Sequence, residues 1–425
     1  MKEHGRILLY LFLFVFVLSS CSKDDGFEDT PPQTDDEYFV SQEDITTYTI
    51  SQMNTLLNIA PTFFPELAGA LEPVSEYLES DVKLVKISYN TTFNNENVVA
   101  SGVVSIPKSA GTYPLISFQN GTNTLNSDAP SESNYALLSE ENLPIKVLSM
   151  MASTGFVIAI PDYLGFGASD DMFHPYLDKE STVQTVLDML RAVEEMIAKE
   201  KDIELNDDLY ITGYSQGGWA TSAVQAAIDQ HYSAEFNLVA SASGGGPHNL
   251  LAFADYLLSE DTYPMPYFLA YLCNSYQNVG MTTPIDSIFQ QPYAGKIPGL
   301  FDGSLTGGEI NAELTTNLND LLTANFIENW NKGGIYESLY SMLEANTNSG
   351  YSTTTPTLLV HGTADNYVPA SLSESLRQEF IDAGTNPSLV NLSLLADLDH
   401  SGAIVPAELA SIMWFIELKN GEINF

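Results

Sequence analysis

Leu209-Tyr210-Ile211-Thr212-Gly213-Tyr214-Ser215-Gln216-Gly217-Gly218-Trp219-Ala220 is the stretch whose reading decides the fold. Leu209–Thr212 is a short, nearly continuous apolar run of the kind that forms a strand buried on both faces. Trp219 to Ile228 has the spacing of a helix. Between them lies the pentad Gly213-Tyr214-Ser215-Gln216-Gly217. Its glycines allow a sharp turn from strand to helix that lifts the serine hydroxyl above the sheet edge. The start of the helix leaves unpaired N–H groups pointing at the same place.

The same pattern extends in both directions. Leu115–Phe118, Phe156–Ile160, Leu238–Ala242, Thr357–Val360 and Leu389–Leu395 are further short apolar runs. Helical stretches such as Thr182 to Lys199 lie between most of them. This alternation predicts an α/β fold, a mostly parallel sheet with helices on both faces. Val82–Tyr89 and Val98–Ile106 alternate around Asn94-Asn95-Glu96-Asn97, which predicts a hairpin. Residues 42–80 carry apolar residues at helical spacing, interrupted by Pro61 and Pro65, and are expected to form one or two helices. From residue 247 to 351 there is no convincing strand, and Tyr, Phe, Leu and Pro are abundant. A connecting loop is rarely so long, so this is expected to be a helical cap inserted into a core made of 42–246 and 352–425.

A serine nucleophile needs a base and an orienting acid. After Thr357–Val360 comes His361-Gly362-Thr363-Ala364-Asp365-Asn366-Tyr367-Val368-Pro369, which sets Asp365 just past the carboxyl end of a buried strand. After Leu389–Leu395 comes Asp397-Leu398-Asp399-His400-Ser401-Gly402, with His400 in a polar loop. The expected catalytic set is Ser215, Asp365 and His400, with Asp397 and Asp399 as alternative partners of the histidine. His361 is expected to be structural. His174, His231 and His248 stand apart in sequence and form no metal-ligand pattern, and no cofactor motif is seen, so neither metal nor cofactor is expected. Asp162 is read as a turn residue. Tyr163 and Tyr214 either line the site or pack.

The order Ser, Asp, His, the elbow, the HGTADNYVP loop, the terminal Asp-His loop and Pro161-Asp162-Tyr163-Leu164-Gly165-Phe166-Gly167 together resemble the α/β-hydrolase family, across about residues 81–425 apart from the insertion. More narrowly they are similar to secreted lipases and esterases of the secretory-lipase type, which share the DYxGxG loop and a long helical cap. The resemblance implies an oxyanion hole built from the N–H of Gln216 and a second N–H from the loop Phe118-Gln119-Asn120-Gly121-Thr122. Asn120 stands where the family usually has His. Because the donor is a backbone N–H, Thr122 is expected to supply it, with Gly121 as the neighbour that could do so instead.

The 425 residues carry 15 Lys+Arg against 55 Asp+Glu, a formal charge of −40. Such a field opposes nucleic acids and anionic surfaces and argues against a phosphate-binding role. At the amino terminus Lys2 and Arg6 precede the apolar run Ile7 to Leu18, too short to span a bilayer. Leu18-Ser19-Ser20-Cys21 resembles the lipobox of bacterial lipoproteins, which implies cleavage after residue 20 and acylation of Cys21. Ser22-Lys23-Asp24-Asp25 resembles the surface-export signal of Bacteroidota lipoproteins. Residues 21–41 are expected to be an acidic flexible tether to the outer membrane. With Cys21 acylated, Cys273 would be an unpaired, buried thiol.

The expected activity is hydrolysis of a carboxylic ester, small or polymer-linked, with carbohydrate acetyl and feruloyl esters among the candidates. A serine peptidase of the same fold and a non-catalytic surface binding protein are the alternatives. No reading of the sequence addresses oligomeric state.

Overall fold

The computed structural model describes residues 36–63, 73–137, 139 and 143–423. The export segment, Cys21 and most of the expected tether lie outside the described residues, as do Leu67 and Leu71 of the expected second helix. Nine strands form one sheet in the order β1-β2-β3-β5-β4-β6-β7-β8-β9. They are β1 (Phe39–Tyr48), β2 (Val82–Phe93), β3 (Glu96–Pro107), β4 (Gly111–Gln119), β5 (Val157–Pro161), β6 (Ile203–Tyr214), β7 (Asn237–Gly244), β8 (Thr357–Gly362) and β9 (Val390–Leu395). β1, β2, β3 and β5 pair antiparallel, and every later pair is parallel. The hairpin β2–β3 closes over Asn94 and Asn95, whose φ values of 51° and 63° suit a two-residue turn.

The apolar runs are continuous because both faces of the sheet are covered. Leu209 and Ile211 of β6 point to one face, where helices α3 (Lys179–Ile197) and α4 (Gln216–Ala227) pack. Tyr210 points to the other, against α1 (Ile50–Phe63), α2 (Leu143–Met150) and α9 (Ile404–Lys419). Helix α8 (Ser371–Asp382) covers Leu359 and Val390 near the far edge.

Two expectations are corrected. The tether was expected to run to residue 41 and helix to begin at 42, but Phe39–Tyr48 is an edge strand. Apart from Val40 its exposed residues are polar, so it lacks a buried strand's signature. It is held by pairing from Phe39 opposite Tyr89 to Tyr48 opposite Val82, and by the Glu195 carboxylate, which accepts from the N–H groups of Glu37, Tyr38 and Phe39. The helix starts at Ile50, where Thr49 and Gln52 cap each other reciprocally: Gln52 N–H donates to the Thr49 hydroxyl at 3.3 Å, and Thr49 N–H to Gln52 Oε1 at 2.9 Å.

Between β7 and β8 the chain is helical, with α5 (Leu250–Ser259), α6 (Pro266–Asn278), several helices of four to six residues, and α7 (Glu337–Ala345). This insertion shares one apolar cluster with the α3/α4 face of the sheet. Tyr263, Tyr271, Tyr276, Phe289, Phe326 and Tyr336 are buried in it, so much of the aromatic content is its own core. Trp219 of α4 ties it down: the indole N–H donates to the Asn346 carbonyl at 2.9 Å, and the Asn348 amide donates to the Trp219 carbonyl at 2.8 Å.

Candidate active site

Ser215 sits at the junction of β6 and α4 with φ 60° and ψ −120°, a conformation disfavoured for any residue bearing a side chain. The turn is held by Ser215 N–H donating to the Gly244 carbonyl and by Trp219 N–H donating to the Ser215 carbonyl. Of the glycines after the serine, Gly217 admits the end of β4 and Gly218 the end of β7. A Cβ on Gly217 would come within 1.9 Å of the Gln119 carbonyl oxygen.

Three side chains from three strand ends meet in a line. The Ser215 hydroxyl donates to His400 Nε2 at 2.9 Å, and His400 Nδ1 donates to Asp365 Oδ2 at 2.6 Å. Asp397 and Asp399 do not take this place: the Asp399 carboxylate accepts from Gly402 N–H, and the Asp397 N–H is bound to Thr363. Asp365 Oδ1 accepts from the N–H groups of Tyr367 and Val368 at 2.9 Å each. His361 Nε2 lies 3.2 Å from Asp365 Oδ2 and 2.9 Å from the Val368 carbonyl, and its Nδ1 accepts from the Ser373 hydroxyl. Burial alone would raise the Asp365 carboxyl; hydrogen bonds from His361, His400 and Val368 N–H outweigh it and hold the group below the ordinary carboxylate range. The acid therefore stays ionised and the imidazole is oriented with its free nitrogen toward the serine.

Gln216 opens α4 directly after Ser215, so its N–H is one of those left without an intrahelical partner. Gly121 and Thr122 border the same cleft as Ser215 and His400. The loop carrying them is braced from behind: the Tyr163 hydroxyl donates to the Asn120 carbonyl at 3.1 Å, and the hydroxyls of Thr122 and Tyr176 lie 3.0 Å apart. The two tyrosines left open in the sequence thus divide. Tyr163 packs behind the loop with φ 69° and lines neither cavity that reaches Ser215. Tyr214 lines the cleft, and its hydroxyl donates to the His400 carbonyl at 2.8 Å. Asp162, just past β5, ties β3 to the segment after β4, accepting from the Ser101 hydroxyl at 2.6 Å and Ser131 N–H at 2.8 Å.

One contributor had no sequence signal. His174 is buried, and its Nε2 accepts from the Gln216 side-chain amide at 2.9 Å while Nδ1 donates to the Leu164 carbonyl at 2.7 Å. Burial pushes this imidazole down to about 4, so it remains a neutral acceptor. Nothing local to residue 174 announces the contact, because Gln216 lies 42 positions away.

Residues 139–297 match the secretory lipase family, under half of the chain. No curated protein matches. Solved structures match over nearly the whole length. A protein from Legionella pneumophila described as a hydrolase superposes with a TM-score of 0.78 at 24% identity, covering 92% of this chain and 100% of its own. The rice cell wall degrading esterase LipA from Xanthomonas oryzae gives 0.72 at 24% identity, with 91% and 97% covered. Candida antarctica lipase A in its closed state gives 0.64 at 18% identity, with 91% and 83% covered. The chain is an α/β-hydrolase in fold.

Within this α/β-hydrolase fold two cavities reach Ser215. One is a narrow apolar space of about 50 Å³ between the core and α5–α7, bordered by Leu250, Phe253, Leu272, Phe326 and Trp330, with no charged residue among the described residues that line it. The other is a more open cleft of about 270 Å³ that contains His400, Thr122 and the cap residues Tyr267 and Phe268. Cys273 borders the apolar space as a buried free thiol. Among the described residues no cluster of His, Cys, Asp and Glu is arranged to hold a metal, and no helix is long and apolar enough to cross a membrane.

Proposed function

We propose that this α/β-hydrolase cleaves carboxylic esters through an acyl-enzyme on Ser215. The observation that carries the reading is the hydrogen-bonded line Ser215–His400–Asp365 at the mouth of an apolar cavity. Ser215 Oγ attacks the ester carbonyl as His400 Nε2 takes its proton, and Asp365 steadies the imidazolium that forms. The N–H groups of Gln216 and Thr122 receive the developing oxyanion, a contribution of roughly 3–4 kcal/mol per donor in comparable sites. His400 returns the proton to the leaving alcohol, and water then releases the acyl group by the same route in reverse.

The two cavities divide the substrate. A leaving group must lie beside His400, so the 270 Å³ cleft takes the alcohol and the apolar space takes the acyl part. An aminopeptidase would need a negative group on the acyl side to hold a free amine, and that side is lined by uncharged residues. The apolar lining favours an aliphatic or aromatic acyl group, and a plant cell-wall ester is consistent with the description of the LipA relative. We further propose export and acylation at Cys21, with anchoring to the outer membrane and display at the cell surface, supported by the apolar run and Leu18-Ser19-Ser20-Cys21.

A ladder of p-nitrophenyl esters from acetate to palmitate, with a feruloyl ester, tests the activity. The expected result is hydrolysis that vanishes in Ser215→Ala. Equal rates in both proteins across the ladder would overturn it. For the anchor, palmitate labelling in the producing cell should be lost in Cys21→Ala; labelling that persists would overturn it.

A further inference from the structure

The alcohol cleft contains a group that the triad does not use. Glu408 lies on the inward face of α9, one turn after Ile404, which follows Ser401 around the same wall. It is 91% buried by its 9% exposure, and it borders the cleft together with Ser215 and His400. Among the described residues it has neither an ion-pair nor a hydrogen-bond partner. Among the described residues it is the one carboxyl in the lining, and no Lys or Arg among them lines the cleft. The titratable groups that share the cleft are Tyr214 of the elbow, Tyr267 of α6, Tyr367 of the acid loop and His400.

A carboxyl in such a place is costly. Deep burial penalises the charge, and a lone carboxyl needs donors that the protein does not supply. Burial pushes this one up to about 8, so near neutral pH it is largely protonated and can both donate and accept hydrogen bonds. Packing would be better served at this position by Leu or Met. The remaining source of partners is whatever occupies the cleft. Asn120, Asn123, Thr122 and Ser401 add further polar edges around it.

We propose that Glu408 is a specificity residue that binds a hydroxyl of the leaving alcohol, so that the preferred substrates are esters of polyhydroxylated alcohols such as sugars or glycerol. This rests on the esterase reading above, because it uses His400 to identify which cavity holds the alcohol. A neutral polyol suits the site better than a cationic alcohol, since a protonated carboxyl supplies no charge for a cation and does offer a donor and an acceptor to a hydroxyl.

The test holds the acyl group constant, at the length the wild-type protein cleaves fastest, and varies the alcohol: ethyl, glyceryl, glucosyl and choline esters. The readout is the ratio of kcat/KM for the glyceryl or glucosyl ester to that for the ethyl ester. It should favour the hydroxylated esters in the wild type and fall at least tenfold in Glu408→Leu, chiefly through KM, with Glu408→Gln intermediate. Thermal unfolding of the same variants keeps folding separate from selectivity. Glu408→Leu should melt no lower than wild type, because it removes an unpaired buried polar group.

A ratio that is the same in wild type and Glu408→Leu, with ethyl ester still cleaved, would overturn the proposal and leave the esterase reading standing. So would a loss confined to the choline ester, which would indicate a cationic alcohol, or a Glu408→Leu protein that melts several degrees lower, which would indicate a structural partner. Absence of cleavage of every ester by the wild type would overturn the esterase reading, and this proposal with it.

Discussion

The neutral imidazole of His174 accepts a hydrogen bond from the side chain of Gln216 at 2.9 Å, and Gln216 is the residue that follows Ser215 at the start of α4. The histidine is itself fixed by its bond to the Leu164 carbonyl and by contact with the rings of Tyr163, Phe166, Tyr176 and Tyr271. It touches no reacting atom. It positions the residue proposed to supply an oxyanion donor.

His174→Phe keeps the ring volume and removes the acceptor. We expect kcat to fall roughly tenfold with KM changed less than twofold, because the loosened donor acts only as charge develops. A role confined to packing would instead lower the melting temperature and leave the kcat of the folded fraction as in wild type. Steady-state kinetics on one ester with a parallel melting curve decides between them.

Ser215 holds a positive φ that a side chain disfavours. Ser215→Ala retains that strain and loses activity. Ser215→Gly also loses activity, and relief of the strain should exceed the extra chain entropy of glycine, giving a net stabilisation over Ser215→Ala of about 1 kcal/mol. Urea unfolding of the two variants measures the difference. A glycine variant no more stable than the alanine one would show that the elbow stores no strain.

Asp365 is gripped by two imidazoles and two N–H groups. Asp365→Asn should lower kcat by roughly 10³–10⁴ by disturbing the tautomer of His400. His361→Phe removes one of the groups that hold the carboxylate, and should cost roughly tenfold in kcat while leaving the acid in place. A His361→Phe protein as impaired as Asp365→Asn would instead make His361 part of the proton relay.

Burial lowers His174 to about 4 and His248 to about 3, against an ordinary value of 6.5. Below pH 6.5 the unfolded chain takes up protons that the folded chain refuses, so stability falls as pH drops from 6.5 toward 4. For His174 the loss is on the order of 3 kcal/mol across that window. Glu408, raised to about 8, works in the opposite direction, its cost growing as pH climbs from 4.5 toward 8. Comparing His174→Phe with wild type isolates the histidine: the stability difference between pH 7 and pH 4.5 should shrink by most of that amount. Parallel curves for the two proteins would refute it.

Strands β4 to β9 were legible as short apolar runs and β2 and β3 as an alternating hairpin, and the polar loops past the strand ends marked Ser215, His400 and three candidate acids. A strand buried on both faces writes its position in unbroken hydrophobicity, and a parallel sheet brings its carboxyl ends to one edge. Strand β1 was not legible, because an edge strand with an exposed face needs no apolar signature and is held here by ladder bonds and Glu195. The choice among Asp365, Asp397 and Asp399 also waited on geometry, since all three lie near a strand end and only distance separates them.

The sequence by itself determined the α/β order, the elbow and the insertion, because these follow from local patterning and from glycine at a tight turn. Only the tertiary structure decided that His174 holds Gln216, that Tyr163 stands behind the loop after β4 while Tyr214 lines the cleft, and that Glu408 faces the same cleft as His400. Those relations join residues far apart in the chain. They are set by which faces pack together, and a side chain's own neighbours in sequence carry no record of them.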